Sequence, residues 1–451
     1  LKDLRALQST VMGLRDFFVL VAVYGILPVA FVRPFVALLL YGWLAYMRPQ
    51  DLAWALDDTR LSLLAGIALL TGSLLHLGKE RLVVWRPQTW IFLFFCFWVL
   101  LSGQFAQYPG ASEYWTSWLT KACVFCLLTT GLVSTRLRFR LTWVVIAFSL
   151  GLLGAKFAVF SIRHGGVGFP YGPVGALNDN NKFAVALVMA LPMLIAIAAI
   201  ERNAFVRLGA GVVAALCIVT IISTFSRGGF LTLAVALVML TLRSRRFAVT
   251  TVIALALLGS LLLLLPADFL DDYEERVRTI DDYEEDGSSM GRIIGWKASW
   301  RVAQDHPWLG VGPQNYPLVA AQYGGVQGKV AHSTFFQLLA ENGWPAAISF
   351  YTVLFLSYWR LRRVRRSVSD TAWGLYASAL QVSLVAYVVG SLFLNIVYYE
   401  LVYQLAALTI PLELLARAEA PERQPSSAEK PAASEWWRDG QLPSLRPASH
   451  G

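Results

Sequence analysis

Leu261-Leu-Leu-Leu-Leu-Pro-Ala-Asp-Phe-Leu-Asp-Asp-Tyr-Glu-Glu275 is where this chain changes character. Upstream, from position 16, the sequence is a succession of apolar stretches. Downstream, residues 267–331 are charged and aromatic, with eleven acidic and six basic side chains. The apolar pattern then resumes at His332-Ser-Thr-Phe-Phe336. Across the 451 residues 57% are hydrophobic and 15% charged, and mean hydropathy is +0.55. That balance excludes a soluble domain and indicates an all-α polytopic membrane protein.

A bilayer crossing takes about 20 mainly apolar residues. Candidate spans fall near 16–32, 34–47, 61–77, 88–106, 114–133, 140–160, 182–200, 205–224, 228–242, 247–266, 333–359, 371–392 and 396–416. The first two are short and carry Pro28 and Pro34, so they read as one broken element or a shallow hairpin. The expectation is about twelve transmembrane helices. The organisation is an N-terminal segment (1–15), a first part of the bundle (16–266), a large loop containing helices (267–331), the last part of the bundle (332–418) and a disordered tail (419–451). The first methionine is Met12, so residues 1–11 read as partly foreign to the protein.

The net charge of +9 follows from topology and needs no nucleic acid. Basic residues cluster in alternate short loops: Lys79, Arg81 and Arg86; Arg136, Arg138 and Arg140; Arg202 and Arg207; Arg243, Arg245 and Arg246; and Arg360, Arg362, Arg363, Arg365 and Arg366. Short loops rich in Lys and Arg stay cytoplasmic. The loops of opposite parity (104–113, 161–181, 267–331 and the turn at Arg227) are therefore expected on the periplasmic side of a bacterial inner membrane. The four cysteines all fall inside apolar spans and suggest neither a disulfide framework nor a zinc site. Cys123 and Cys126 have CxxC spacing without a second pair, which fits two small core residues.

Thr224-Phe-Ser-Arg-Gly-Gly-Phe230 separates two apolar spans with almost no polar loop. An arginine costs about 2.5–3.5 kcal/mol at the centre of a membrane helix, so one near the hydrocarbon edge commonly lines a polar cavity. Gly228 and Gly229 would admit close approach of another group. The competing reading of Arg227 is an interfacial anchor that snorkels to headgroups.

Met290-Gly-Arg-Ile-Ile-Gly-Trp-Lys-Ala-Ser-Trp300 places Ile293, Trp296, Trp300 and Val302 at spacings that suit an amphipathic helix over 292–303. Its tryptophans suit a membrane interface, and Arg292 would stand at its N-terminal end, where helix and guanidinium both attract phosphate. An ordinary surface helix with solvated charges is the plainer alternative.

Of five histidines, His76 and His450 look incidental, His164 lies in a glycine-rich stretch, and His306 precedes Pro307 in a turn. His332 stands at the membrane boundary directly after the large loop, with Ser333 and Thr334 at helix-start positions. It can be a cap, or an imidazole that removes a hydroxyl proton near neutral pH. Two arginines and a histidine on one membrane face suit attack by a hydroxyl on a sugar diphosphate. The arginines would offset charge on the leaving group, and no metal would be required.

Ser226-Arg-Gly-Gly229, Gly291-Arg292 with Trp296, Pro307-Trp-Leu-Gly-Val-Gly312 with Tyr316, and His332 with Leu339 and Glu341-Asn-Gly343 resemble the O-antigen ligase and polymerase superfamily. Leu14-Arg-Asp16, Pro28, Arg33-Pro34 and Met47-Arg-Pro49 resemble its exosortase-associated O-glycosylation ligase branch. The resemblance spans about 14–416. It implies a twelve-span bundle of the GT-C type with a large periplasmic loop and both termini cytoplasmic. It also implies glycan transfer from undecaprenyl diphosphate to an acceptor hydroxyl, in ligases a lipid A-core sugar, with neither cofactor nor metal. Arg227 and Arg292 would bind the diphosphate and His332 would be catalytic. One departure is Ser333, where the family often has Asn.

Other readings remain open on sequence. A polymerase or a protein O-oligosaccharyltransferase would share the donor chemistry. A metal-dependent transferase would need carboxylates such as Asp57-Asp58, whereas the near-repeat Asp271-Asp-Tyr-Glu-Glu275 and Asp281-Asp-Tyr-Glu-Glu-Asp286 reads as a solvated segment. A lipid-linked glycan flippase should offer internal repeats and polar mid-span residues, and neither stands out.

Overall fold

The computed structural model describes residues 13–53, 56, 59–164, 177–243, 288–368 and 372–419. Every regular element within them is helical. The longer helices are α1 (Leu14–Val32), α2 (Pro34–Tyr46), α3 (Leu61–Leu75), α4 (Pro87–Gln104), α5 (Pro109–Leu132), α6 (Arg136–Arg163), α7 (Asn180–Ile200), α8 (Ala204–Ser223), α9 (Arg227–Arg243), α10 (Ser288–Asp305), α11 (Thr334–Ser367), α12 (Ala372–Ser391) and α13 (Glu400–Ala418). All but α10 coincide with candidate spans from the sequence. The span expected at 247–266, the pair Asp57-Asp58, the acidic near-repeat, residues 1–12 and the tail after Glu419 lie outside the described residues.

Helices α1, α6, α7, α8, α12 and α13 are long and apolar enough to cross a membrane; α2 and α3 are apolar but shorter. The outer face of α1 exposes Phe18, Tyr24, Val29 and Val32, an apolar surface suited to lipid and not to water. The chain is thus an all-helical, polytopic membrane protein. The first two candidate spans are separate helices. Arg33 is extended (φ −117°, ψ 99°) and Pro34 opens α2, a first-turn position where its missing N–H costs no hydrogen bond.

Helix α7 forms the axis of the core. From Phe183 to Leu194 every side chain is buried, and α6, α8, α9 and α12 pack around it. Basic residues from several of the basic clusters form ion pairs between helix ends. Arg138 pairs with Glu80 at 2.7 Å, Arg140 with Glu201 at 2.6 Å, and Arg360 with Glu413. Gln88 Nε2 donates to Ser357 Oγ and to Ala406 O. The residues after α10 dock onto α4, α5 and α11.

That docking is written into α11. At Gly343 the helix breaks (φ 74°, ψ −178°), a backbone state closed to side chains larger than hydrogen. The break frees backbone carbonyls, which need partners where water is scarce. Residues 307–312 supply them: Val311 N–H donates to Ala340 O at 3.0 Å and Gly312 N–H to Glu341 O at 2.9 Å, while Trp344 N–H donates to Pro307 O at 2.9 Å. Ser102 Oγ of α4 donates to Leu309 O at 2.6 Å, and Trp98 Nε1 to Trp308 O at 2.9 Å. On the α5 side Tyr108 N–H donates to Asn315 Oδ1 at 2.6 Å.

Gly310 tests this joint. It has φ +63°, and a Cβ there would collide with the backbone of residues 340–342. Gly78 has a similar φ of +78° with nothing near. Alanine at either position incurs about 1–2 kcal/mol of left-handed strain. Gly310→Ala should lower the melting temperature in detergent clearly more than Gly78→Ala. Equal shifts would show that residues 307–312 are not clamped against α11.

Candidate functional site

Helix α10 begins at Ser288, so Arg292 lies in its second turn and not at its N-terminus as the sequence suggested. Of the four apolar residues in the sequence pattern, Val302 alone is fully buried. Ala298, Ser299, Val302 and Ala303 are buried, whereas Ile293 and Trp300 are each 41% exposed. Small residues let α10 approach α11 closely, and the large ones are left outside. Trp296 is intermediate and stacks on Phe336 of α11 with ring centroids 5.5 Å apart.

A cavity of about 230 Å³ opens beside this helix. Arg292, Tyr316, Lys329 and His332 line it, with Gly291 and Gly295 forming the near wall. Tyr316 Oη donates to Gly295 O at 2.9 Å, which ties the segment after the docked loop to α10. His332 is the last residue before Ser333, the N-cap position of α11. Its φ of +51° is left-handed, a costly state for a residue with a side chain that clusters at functional sites. Neighbours on both sides fix it. Ala331 N–H donates to Gln337 Oε1 at 2.8 Å, and Gln337 in turn donates to the Glu341 carboxylate. Thr334 Oγ1 donates to Leu394 O at 2.7 Å and accepts from Ile396 N–H at 3.0 Å. Ser333 makes no side-chain cap bond.

Arg227 does not line this cavity. It is the first residue of α9 and is exposed. The turn before it is fastened to α7: Asn180 Nδ2 donates to Thr224 O at 2.8 Å, and Ser226 Oγ accepts from Gly229 N–H at 2.9 Å. A Cβ at Gly229 would stand 2.7 Å from the Ala184 Cβ, so this glycine is the one that permits the close approach. The same start of α7 carries Asp179 and Lys182, whose charges act on His332. The structure therefore unites Arg292 and His332 in one cavity and sets Arg227 on a neighbouring turn of the same end of the bundle.

Electrostatics at the cavity favour a neutral imidazole. Burial first, then the charges of Arg292 and Lys329, hold His332 below its ordinary value, with Asp179 opposing them. Sequence reasoning missed Lys329, whose position three residues before His332 was its only signal. It also missed the Gln337–Glu341 pair behind the histidine. Among the described residues no cluster of three or more His, Cys, Asp or Glu could hold a metal ion. His306 sits apart, its Nε2 3.3 Å from Gln107 Nε2 and 3.4 Å from Tyr323 Oη. Cys96, Cys123, Cys126 and Cys217 are free and buried.

This arrangement predicts signed shifts at His332. Lys329→Gln removes a cation and should raise the imidazole pKa, with a smaller rise at high salt because Lys329 is exposed. Asp179→Asn keeps a capping side chain for α7 and should lower it. Titration of the labelled His332 ring by NMR reads both, and shifts of the opposite sign would contradict the assigned electrostatics.

No curated protein matches the chain significantly. Residues 14–206, which hold α1 to α7, match a family of unknown function. Residues 212–351, which hold Arg227, Arg292, the docked loop and His332, match the family described as O-antigen ligase. That match covers about a third of the chain and supports the resemblance to the O-antigen ligase superfamily over the stretch that holds the cavity.

Proposed function

We propose that the protein is an inverting, metal-independent glycosyltransferase. It moves a glycan from undecaprenyl diphosphate to a sugar hydroxyl of lipid A-core at the periplasmic face of the inner membrane. About twelve helices would cross the bilayer in a GT-C arrangement with both termini cytoplasmic. The observation that carries the reading is the single cavity shared by Arg292, Lys329 and His332, inside the stretch that matches O-antigen ligase.

In the proposed step His332 accepts the acceptor hydroxyl's proton while that oxygen attacks the anomeric carbon from the face opposite the diphosphate. The carbon–oxygen bond to phosphate breaks, and undecaprenyl diphosphate departs with the electron pair. Arg292, with Lys329 beside it and Arg227 on the neighbouring turn, holds the diphosphate and offsets its growing charge. Burial, with the charges of Arg292 and Lys329, holds the His332 pKa below its ordinary value before the donor arrives. A bound diphosphate cancels their field, so the imidazole becomes a stronger base when there is a donor to react. Polymerases and protein glycosyltransferases share this donor chemistry, and the acceptor used by purified protein separates them.

His332→Gln should fold, bind donor and lose about a hundredfold to ten-thousandfold in turnover. Arg227→Ala and Arg292→Ala should each lose about tenfold to a hundredfold, with lysine rescuing only in part. Activity should survive EDTA. The assay follows a defined lipid-linked glycan onto lipid A-core by gel shift. Retention of more than about a tenth of turnover by His332→Gln would rule out the general base, and loss in EDTA restored by magnesium would rule out a metal-free reaction.

A further inference from the structure

A second chamber, of about 420 Å³, lies among the end of α2, α5 and the start of α13. It shares no lining residue with the Arg292–His332 cavity. Arg48, Lys121 and Glu400 face it together, and the two cations are the charges whose field reaches the Glu400 carboxylate. Asp51 takes only Nε of Arg48, at 2.5 Å, and Lys121 and Glu400 have no ion-pair partner among the described residues. Three more lining residues, Tyr46, Gln50 and Tyr399, are 2%, 7% and 7% exposed. Tyr46 Oη, Gln50 Oε1 and Tyr399 Oη are buried with no hydrogen-bond partner among the described residues. Buried polar atoms left unpaired are costly, and several around one space point to a polar occupant. Trp115 and Trp118 complete the wall with flat faces of the kind that pack against a sugar ring.

The chamber continues into an apolar groove. A second space of about 270 Å³ shares Tyr41, Ser62 and Lys121 with it and runs between α3 and α5 along Gly66 and Val124. Leu63, Ile67 and Leu70 flank the groove and are 47%, 44% and 49% exposed, so it opens on the apolar outer surface. A polar head can fill the chamber while an acyl chain lies in the groove without crossing water. Two cations against one carboxylate select an anionic head, and the carboxylate with the amide and phenols suits hydroxyls on that head.

We propose that chamber and groove together form a binding site for a phosphorylated glycolipid. Its phosphate meets Arg48 and Lys121, its sugar hydroxyls meet Glu400, Gln50 and Tyr399, and its chain occupies the groove. Leu177 lines the chamber, and Asp179, whose N–H donates to Leu177 O at 2.8 Å, bears on His332. The site therefore flanks the proposed catalytic cavity across one short wall, the place for the acceptor lipid. That assignment as acceptor rests on the transferase reading, whereas the binding itself does not.

Full-length protein in phosphatidylcholine nanodiscs is titrated with monophosphoryl lipid A, without donor, and bound copies are counted by native mass spectrometry. Arg48→Gln with Lys121→Gln should weaken binding by roughly tenfold or more, and Lys79→Gln, at the far end of the bundle, should not. Gly66→Leu, which fills the groove and leaves the chamber intact, should weaken the lipid but not the deacylated disaccharide phosphate. Unchanged affinity in the double variant would overturn the proposal. So would phosphatidylglycerol competing on equal terms, or the deacylated head binding as tightly as the lipid. Because no glycan is transferred, an inactive donor reaction would leave this result standing. Full transfer by the double variant despite weakened binding would remove the acceptor role alone.

Discussion

The break of α11 at Gly343 is the constraint on which the site depends. A continuous helix would satisfy its own backbone and offer nothing to dock against. The broken one leaves carbonyls at residues 340 and 341 that accept from Val311 and Gly312 N–H, while Ser102 Oγ also donates to Glu341 O at 3.0 Å. In a setting poor in water these bonds cannot be exchanged for solvent. Residues 307–312 are thus held as if they were part of the bundle, and both of their flanks inherit that rigidity. Upstream they fix the end of α10, which carries Arg292. Downstream they fix Tyr316, which grips Gly295, and so close the wall opposite His332. Two groups that are forty residues apart in sequence come to share a cavity because one glycine interrupts one helix.

Much of the fold was legible in the sequence. The apolar stretches match the helices, and Arg138 and Arg140, from one of the basic clusters, pair with Glu80 and Glu201 beside two others. The separation of α1 from α2 was undecided in sequence because a proline within a span and a proline at a helix start look alike; the extended Arg33 resolves it. The face by which α10 packs on α11 was not legible in the sequence, for a physical reason. The pattern grouped Ile293, Trp296, Trp300 and Val302, but a helix lying against another at close range buries Ala298 and Ser299 and leaves Trp300 out, while Trp296 stacks on Phe336.

The site was legible residue by residue but not as an assembly. Arg292 stood out because it precedes an amphipathic helical pattern, and His332 because it stands where the polar loop gives way to an apolar span. Lys329 did not, since a lysine in a polar loop carries no signal until its neighbours are known. The chamber at Arg48, Lys121 and Glu400 was invisible for the same reason, its members being drawn from three separated stretches of sequence. Pairing across long sequence separations is set by packing, and packing leaves no local pattern.

The two spaces differ in charge as their proposed occupants do. Arg292 and Lys329 line the first with no carboxylate among the described residues, a field suited to a diphosphate that gains charge as it leaves. The second sets Glu400 against Arg48 and Lys121, a balance suited to a head bearing one phosphate and many hydroxyls. If both held only cations, either anionic lipid would occupy either place, and the donor would compete with its own acceptor. The carboxylate breaks that symmetry, because a diphosphate beside Glu400 meets like charge while a hydroxyl there finds an acceptor. A transferase joining two membrane-anchored reactants must also bring both heads to one depth without lifting either tail from the bilayer. The proposed sites do so by lying on either side of the start of α7, whose side chains from Phe183 to Leu194 are all buried and leave it little room to yield when either head arrives.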